Sequence, residues 1–209
     1  MILEPKFNTY DILYNIEEFL ESNDSIKNFS IIDDFLENFQ LNELEIKNCY
    51  LKNVKFNSSN LPKAYFNNSV FENCDFSNTN FENSTFKTIK FINCKFLGTI
   101  LSSSYFENII IEQVNITGSS LDNSTFLRSQ IKDSNMKNVS ITESSIKNCD
   151  FKNVNMSGSN FSGTSLNGLD FRTCDITGIT LYPKDLKGVI LTNIQSLDFI
   201  RLLGIIVLD

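Results

Sequence analysis

The sequence contains no histidine. That single absence removes the Ser-His-Asp triad, the Cys-His dyad, His-ligated metal sites and histidine-based pH switching. Long apolar runs are also missing: the longest aliphatic stretch, Leu202 to Leu208, is far shorter than the roughly 20 residues that a bilayer-spanning helix needs. Residues 1–10 have neither a basic n-region nor an apolar h-region. No CxxC pair is present, the carboxylates are scattered, and nothing matches a phosphate loop or a dinucleotide fingerprint. The expectation is therefore a chain that is not an enzyme and takes no metal or cofactor. Basic charge is in deficit, with 18 Lys and Arg against 25 Asp and Glu and a net charge of −7. This disfavours a direct nucleic-acid or anionic-membrane partner and makes a basic or neutral one the expectation. A cytoplasmic location with reduced cysteines follows from the same features.

The chain does have enough apolar material for a core, 41% of its 209 residues, and the order of that material is informative. From Ile26 to Leu191 every fifth position is apolar: thirty-four consecutive sites hold 13 Phe, 10 Leu, 9 Ile and 2 Met. A helix repeats at 3.6 residues and a strand at 2.0, so a sustained period of five demands a chain that turns a corner every five residues. Two residues before each of these sites the residue is usually small, as at Ser59, Ala64, Ser69, Cys74, Thr79 and Ser84. Two residues after, Asn occurs fifteen times and Gly seven, the types that tolerate the positive φ of a tight corner.

Four such corners close a square coil of twenty residues, which stacks positions twenty apart at about 4.8 Å. Phe66, Phe86, Phe106 and Phe126 then form one column. The pattern, as in Cys74-Asp75-Phe76-Ser77-Asn78, resembles the pentapeptide-repeat family. That resemblance implies an all-β solenoid, a right-handed quadrilateral β-helix. The phase never slips, so a loopless rod of eight and a half coils, about 40 Å long, is expected, regular from about Leu44.

Three segments are anticipated. Residues 1–25 would form a helical cap, with Asn8 or Thr9 capping a helix that presents Ile12, Leu13, Ile16, Phe19 and Leu20. Residues 26–193 would form the β-helix. In residues 194–209, Ile194 to Leu203 suits a short helix stopped by Gly204, followed by a β segment from Ile205 to Leu208. So apolar an end either acts as a lid or pairs with a second copy, and pairing is the favoured expectation, through Leu197, Ile200, Leu203, Ile205, Ile206 and Val207.

All five cysteines, Cys49, Cys74, Cys94, Cys149 and Cys174, fall in the small inward column, where packing accounts for them. Cys74 and Cys94 are stacked neighbours, and a strained disulfide between them is the less favoured alternative. Outer charges separate by face. The face centred on Leu61, Phe81, Leu101, Leu121 and Ile141 carries Glu43, Glu82, Asp122 and Glu143 against Lys63 alone. The face centred on Phe66 and Phe86, read as lying on the opposite side, carries Lys27, Lys47, Lys87, Arg128, Lys147, Lys184 and Lys187 against four carboxylates. The acidic side is either a solvated face or a binding face.

Finally, Ile179-Thr180-Leu181-Tyr182-Pro183-Lys184-Asp185-Leu186-Lys187-Gly188-Val189, followed by Leu203-Gly204-Ile205-Ile206-Val207, looks like the C-terminal signature of the Qnr-type quinolone-resistance branch. The resemblance implies end-to-end homodimers that resemble B-DNA, bind DNA gyrase and topoisomerase IV, and protect them from fluoroquinolones. Members of that branch carry projecting loops for which the unbroken phase leaves no place. A pentapeptide-repeat interaction module with another partner is the alternative.

Overall fold

The structure is a computed structural model that describes residues 2–7 and 11–200. The quintet dictates its geometry. The central residue and the one two before it point inward, the other three point out, and the chain bends at the second residue after the centre. From Ile26 to Leu181 every central residue is buried except Leu41 and Ile111, which are half-buried. At every corner from Asn28 to Gly168 φ is positive, including Glu43, Lys63, Thr88 (φ 54°) and Arg128 (φ 50°). Left-handed backbone costs a non-glycine residue roughly 1–2 kcal/mol, so coil closure imposes the corner and Asn or Gly only makes it cheaper.

Coils stack in parallel with a strict offset of twenty: Phe66 pairs with Phe86, Phe86 with Phe106, and Phe106 with Phe126. The four faces are not equivalent. Two adjacent faces carry strands, which merge across their shared corner into Tyr65–Glu72, Thr85–Ile92 and Tyr105–Glu112. The other two are joined by single bridges in two series, from Phe35 to Asp175 and from Gln40 to Thr180. The result is a parallel β-solenoid of about seven turns, about 34 Å long at ~4.8 Å per turn and shorter than the repeat count alone suggested. Regular pairing begins earlier than expected, at Ser25–Lys27 on Glu45–Lys47.

The small column does more than make room. Ser59 Oγ accepts the Phe39 N–H at 3.0 Å and donates to the Leu36 carbonyl at 2.6 Å. Ser124 repeats the arrangement, accepting from Ser104 at 3.1 Å and donating to Leu101 at 3.1 Å. Cysteine thiols stand in for the hydroxyl donor, as in Cys94 Sγ to the Phe71 carbonyl at 3.4 Å. Among the described residues no buried side-chain nitrogen or oxygen lacks a partner. Asparagines ladder along two corners, with Asn93 donating to Asn73 at 2.8 Å and Asn73 to Asn53 at 3.1 Å.

The N-terminal helix, α1 (Ile16–Leu20), is shorter than expected. Its cap is Asn15, whose side chain accepts the Glu18 N–H at 3.1 Å. Asn8 and Thr9 lie outside the described residues. Ile12 is not helical: Asp11–Ile12 is a strand paired with Phe29 and Ser30. The large residues in the small column of the first coil explain the seat of α1. Phe29 meets Phe19 edge to face at 5.5 Å, and Asp34 accepts the Ile16 N–H at 2.9 Å. With no preceding coil to fill that space, bulk at these positions is accommodated. At the other end, Thr192 and Gln195 exchange hydrogen bonds of 2.9 and 3.3 Å as a capping box for α2 (Asn193–Ile200). Leu203, Gly204 and the segment Ile205–Leu208 lie outside the described residues.

Candidate interaction surface

The four acidic-face residues do not form one array. Glu43 and Glu143 stand at corners in left-handed backbone. Glu82 and Asp122 occupy the position before the corner, two coils apart, about 10 Å at the inter-strand spacing. Glu43, Glu82 and Glu143 are exposed, while Asp122 is half-buried. Glu43 shares its coil stack with Lys63, 3.9 Å away. Asp122 is engaged within the rod: its carboxylate accepts from Ser140 Oγ at 2.6 Å, Thr142 Oγ1 at 2.7 Å, Thr142 N–H at 2.8 Å and Ser120 Oγ at 2.9 Å. Burial on its own would raise its pKa, but these donors outweigh burial and hold it below the ordinary aspartate value. Glu82 and Glu143 therefore remain as the freely presented charges.

The basic face adjoins the acidic one, since the quintets centred on Leu61 and Phe66 are consecutive. Much of its charge is neutralised by carboxylates set between lysines of neighbouring coils. Glu45 is held by Lys27 at 2.6 Å and by Lys47, whose hydrogen bonds lower its pKa. Glu107 is held by Arg128 and by Lys87 at 3.9 Å. On the next face Glu112 sits between Lys90 at 3.4 Å and Lys132 at 3.6 Å. Tyr50 donates to Glu72 at 2.7 Å, and burial together with that carboxylate pushes the phenol up to about 12. Most of these pairs lie 18 to 22 residues apart, one coil along, and Lys47 lies two residues from Glu45, so pairing charges across coils would have revealed them in the sequence. Sorting by face alone concealed them. Among the described residues Lys147, Lys184 and Lys187 of this face make no ion pair, and Lys184 lies over the Tyr182 ring at 5.5 Å.

The expected dimer residues divide. Leu197 is exposed and Ile200 half-buried, and Ile190 and Ile194 are exposed as well. Leu203, Ile205, Ile206 and Val207 lie outside the described residues. The five cysteines are buried and free. No described helix is long and apolar enough to cross a membrane, and the described residues include no cluster of three or more Cys, Asp or Glu suited to a metal ion.

The sequence profile of the pentapeptide repeat region matches residues 44–121 and 124–199. The chain belongs to the pentapeptide-repeat family. No curated protein matches it. Among solved structures this pentapeptide-repeat chain is similar to QnrB1, a plasmid-mediated fluoroquinolone resistance protein, at 19% identity over 86% of this chain and 99% of that one, with a TM-score of 0.40. It is also similar to HetL, a pentapeptide repeat protein involved in heterocyst differentiation regulation from the cyanobacterium Nostoc, at 12% identity over 87% and 98% of the two chains, with a TM-score of 0.34. At these identities the likeness is one of fold. The pentapeptide-repeat fold supports a role as a protein-interaction module.

Proposed function

We propose that this solenoid is a non-catalytic, cytoplasmic binding protein that engages bacterial type II topoisomerases, DNA gyrase and topoisomerase IV, and protects them from fluoroquinolones. The observation that carries the reading is a rod of stacked coils whose phase admits no loop and whose one acidic side presents Glu82 and Glu143 without ion-pair partners among the described residues. The C-terminal signature at 179–189 supports the same branch. Charge density limits the mimicry. Glu43 and Glu143 are five coils apart, about 24 Å, a length over which B-DNA carries about 14 phosphates. Recognition then rests on rod shape and two or three placed carboxylates, with steering by the net negative charge.

Two copies join through the C-terminal end in this reading. The described support is the exposed apolar group Ile190, Ile194 (81% exposed) and Leu197. The deciding assay is gyrase supercoiling and drug-induced cleavage with the purified protein at stoichiometric levels. Restoration of supercoiling in the presence of a fluoroquinolone is expected. No effect on either enzyme leaves a pentapeptide-repeat module with another protein partner. Sedimentation tests the second point: wild type is expected as a dimer at tens of micromolar and Leu197→Asp as a monomer, and a monomeric wild type removes it.

A further inference from the structure

Residues 2–7 lie along the outside of the rod. Lys6 N–H donates to Asn68 Oδ1 at 2.8 Å, and Asn68 Nδ2 donates to the Lys6 carbonyl at 2.8 Å. A side-chain amide offers the same kinds of donor and acceptor as a peptide group, so Asn68 meets this segment as a neighbouring strand would. Leu3 N–H reaches Asn108 Oδ1 at 3.5 Å, and the Phe7 ring lies 6.5 Å from that of Tyr50. The spacing is that of extended chain. Asn68 and Asn108 are two coils apart, about 10 Å at the inter-strand spacing, and the three residues from Leu3 to Lys6 span about 10 Å when extended. The segment therefore crosses the coils along the rod axis, over the corner at which strands merge in Tyr65–Glu72, Thr85–Ile92 and Tyr105–Glu112.

The surface beneath is fitted to it. Asn108 is 4% exposed, whereas the corner residues one coil to either side, Thr88 and Arg128, are half-buried. Ile110 faces outward, since Ile109 fills the inward column, yet it is 6% exposed and stands outside the core cluster. Both are covered from outside, where Leu3 meets Asn108. The outward column beside this corner reads Tyr50, Val70, Lys90 and Ile110, and the lysine is held by Glu112 at 3.4 Å. Between Asn68 and Asn108 the corner residue is Thr88, which has no amide to offer. The segment passes it with Glu4 and Pro5, and Pro5 has no N–H to leave unmet.

Residues 2–7 are not what closes the rod. None of their side chains joins the core cluster, Leu3 is 57% exposed, and Ile2 and Pro5 are half-buried. The hydrogen bonds to Asn68 and Asn108 use backbone groups, so the corner reads an extended main chain, and selectivity falls to the places of Ile2, Pro5 and Phe7.

We propose that this corner is a docking track for an extended segment of a partner protein, of the form apolar-x-x-Pro-x-aromatic, and that residues 2–7 occupy it in cis until such a segment replaces them. The track lies between the faces centred on Phe66 and Phe71, neither of which carries Glu82 or Glu143. The probe is the acetylated, dye-labelled peptide Ile-Leu-Glu-Pro-Lys-Phe, with binding read by fluorescence anisotropy. A chain lacking residues 2–7 is expected to bind it at least tenfold more tightly than the full chain, in which the tethered segment competes at an effective concentration of order mM. In the shortened chain, Asn68→Gly removes the amide and keeps a residue that accepts the φ of 47° at this corner. It is expected to weaken binding at least tenfold, as is a peptide with Ser in place of both Pro and Phe. Lys6→Pro in the full chain removes the N–H that Asn68 accepts and leaves the rest of the segment in place, so it tests the same point without truncation. It is expected to raise affinity for the peptide at least threefold over the full chain. Equal binding by the full chain and both altered chains, binding that Asn68→Gly leaves unchanged, or no binding to any of them overturns the proposal.

Discussion

Phe151 and Phe171, twenty residues apart, meet edge to face with ring planes at 79° and centroids 5.5 Å apart. The other six Phe pairs in ring contact at that separation are stacked with planes within 25°. The aromatic columns therefore stay in step from Phe56 to Phe126 and are out of step at Phe151 and Phe171.

Phe96 belongs to the stacked part, 4.6 Å from Phe76 and perpendicular to Phe91 at 5.1 Å. A solenoid is stabilised chiefly between neighbouring coils, so a cavity here weakens the middle of the rod. Phe96→Ala is expected to cost roughly 3–5 kcal/mol, which lowers Tm by about 6–20 °C for a chain of this size. Thermal denaturation measures it, and an unchanged Tm contradicts the column assignment.

Ser124 tests the small column from the other side. Its hydroxyl bonds Leu101 and Ser104, so Ser124→Phe both overpacks the site and removes two inter-coil hydrogen bonds. A loss of about 1–3 kcal/mol or more is expected. Ser124→Cys keeps the donor that Cys74 and Cys94 use at equivalent places, and it is expected to retain most of the stability in urea titration.

The twenty-residue coil was readable in the sequence because period five is a property of every inward residue, from Ile26 to Leu191. The ends were harder. Asp11–Ile12 pairs with an offset of eighteen rather than twenty, so no repeat count could place it, and Asn15 caps α1 from a left-handed conformation. The candidate surface was legible as charge per face but not as free charge. The neutralisation of Glu45, Glu107 and Glu112 depends largely on Lys and Arg one coil away, and the engagement of Asp122 on Ser140 and Thr142 of the next coil.

Thr88 occupies a corner between Asn68 and Asn108, at φ 54° with a β-branched side chain. Asn tolerates that conformation and can extend the side-chain ladder that Asn68 makes with Asn48 at 2.8 Å. Thr88→Asn is expected to raise stability by roughly 0.5–1.5 kcal/mol, read as a higher urea midpoint with an unchanged slope. A lower midpoint would mean that corner strain is not being relieved.

Stability should fall in acid. Glu45, Glu72, Asp122 and Asp170 all have depressed pKa values, so the unfolded chain takes up protons more readily than the native one as pH drops. Their contribution is present above the ordinary carboxylate range and is lost as pH falls through the native values. Cys94 acts in the opposite direction: burial, and then its hydrogen bond with Cys74, raise its thiol, so stability declines as pH rises past the ordinary value of 9.0. Melting temperature measured from acid to alkaline pH is expected to show a plateau flanked by both declines. Asp122→Asn is expected to make the acid limb shallower.

Binding to topoisomerase separates a functional acidic side from a merely solvated one. Asp122 is unsuitable for charge reversal, because a lysine there would break four hydrogen bonds within the rod and confound affinity with folding. Glu82 and Glu143 are exposed and make no ion pair among the described residues, so Glu82→Lys with Glu143→Lys is expected to leave Tm unchanged. If the acidic side meets the basic DNA-binding surface of the enzyme, this double variant should slow association by up to about tenfold at low salt, and the difference should shrink as salt screens it. Lys147→Glu with Lys184→Glu, which reverses the free positive charge toward the C-terminal end, should change the rate much less. Surface plasmon resonance at two ionic strengths reads both variants. Equal association rates for the two would reduce the acidic side to a solvated face and leave rod shape alone to support topoisomerase recognition.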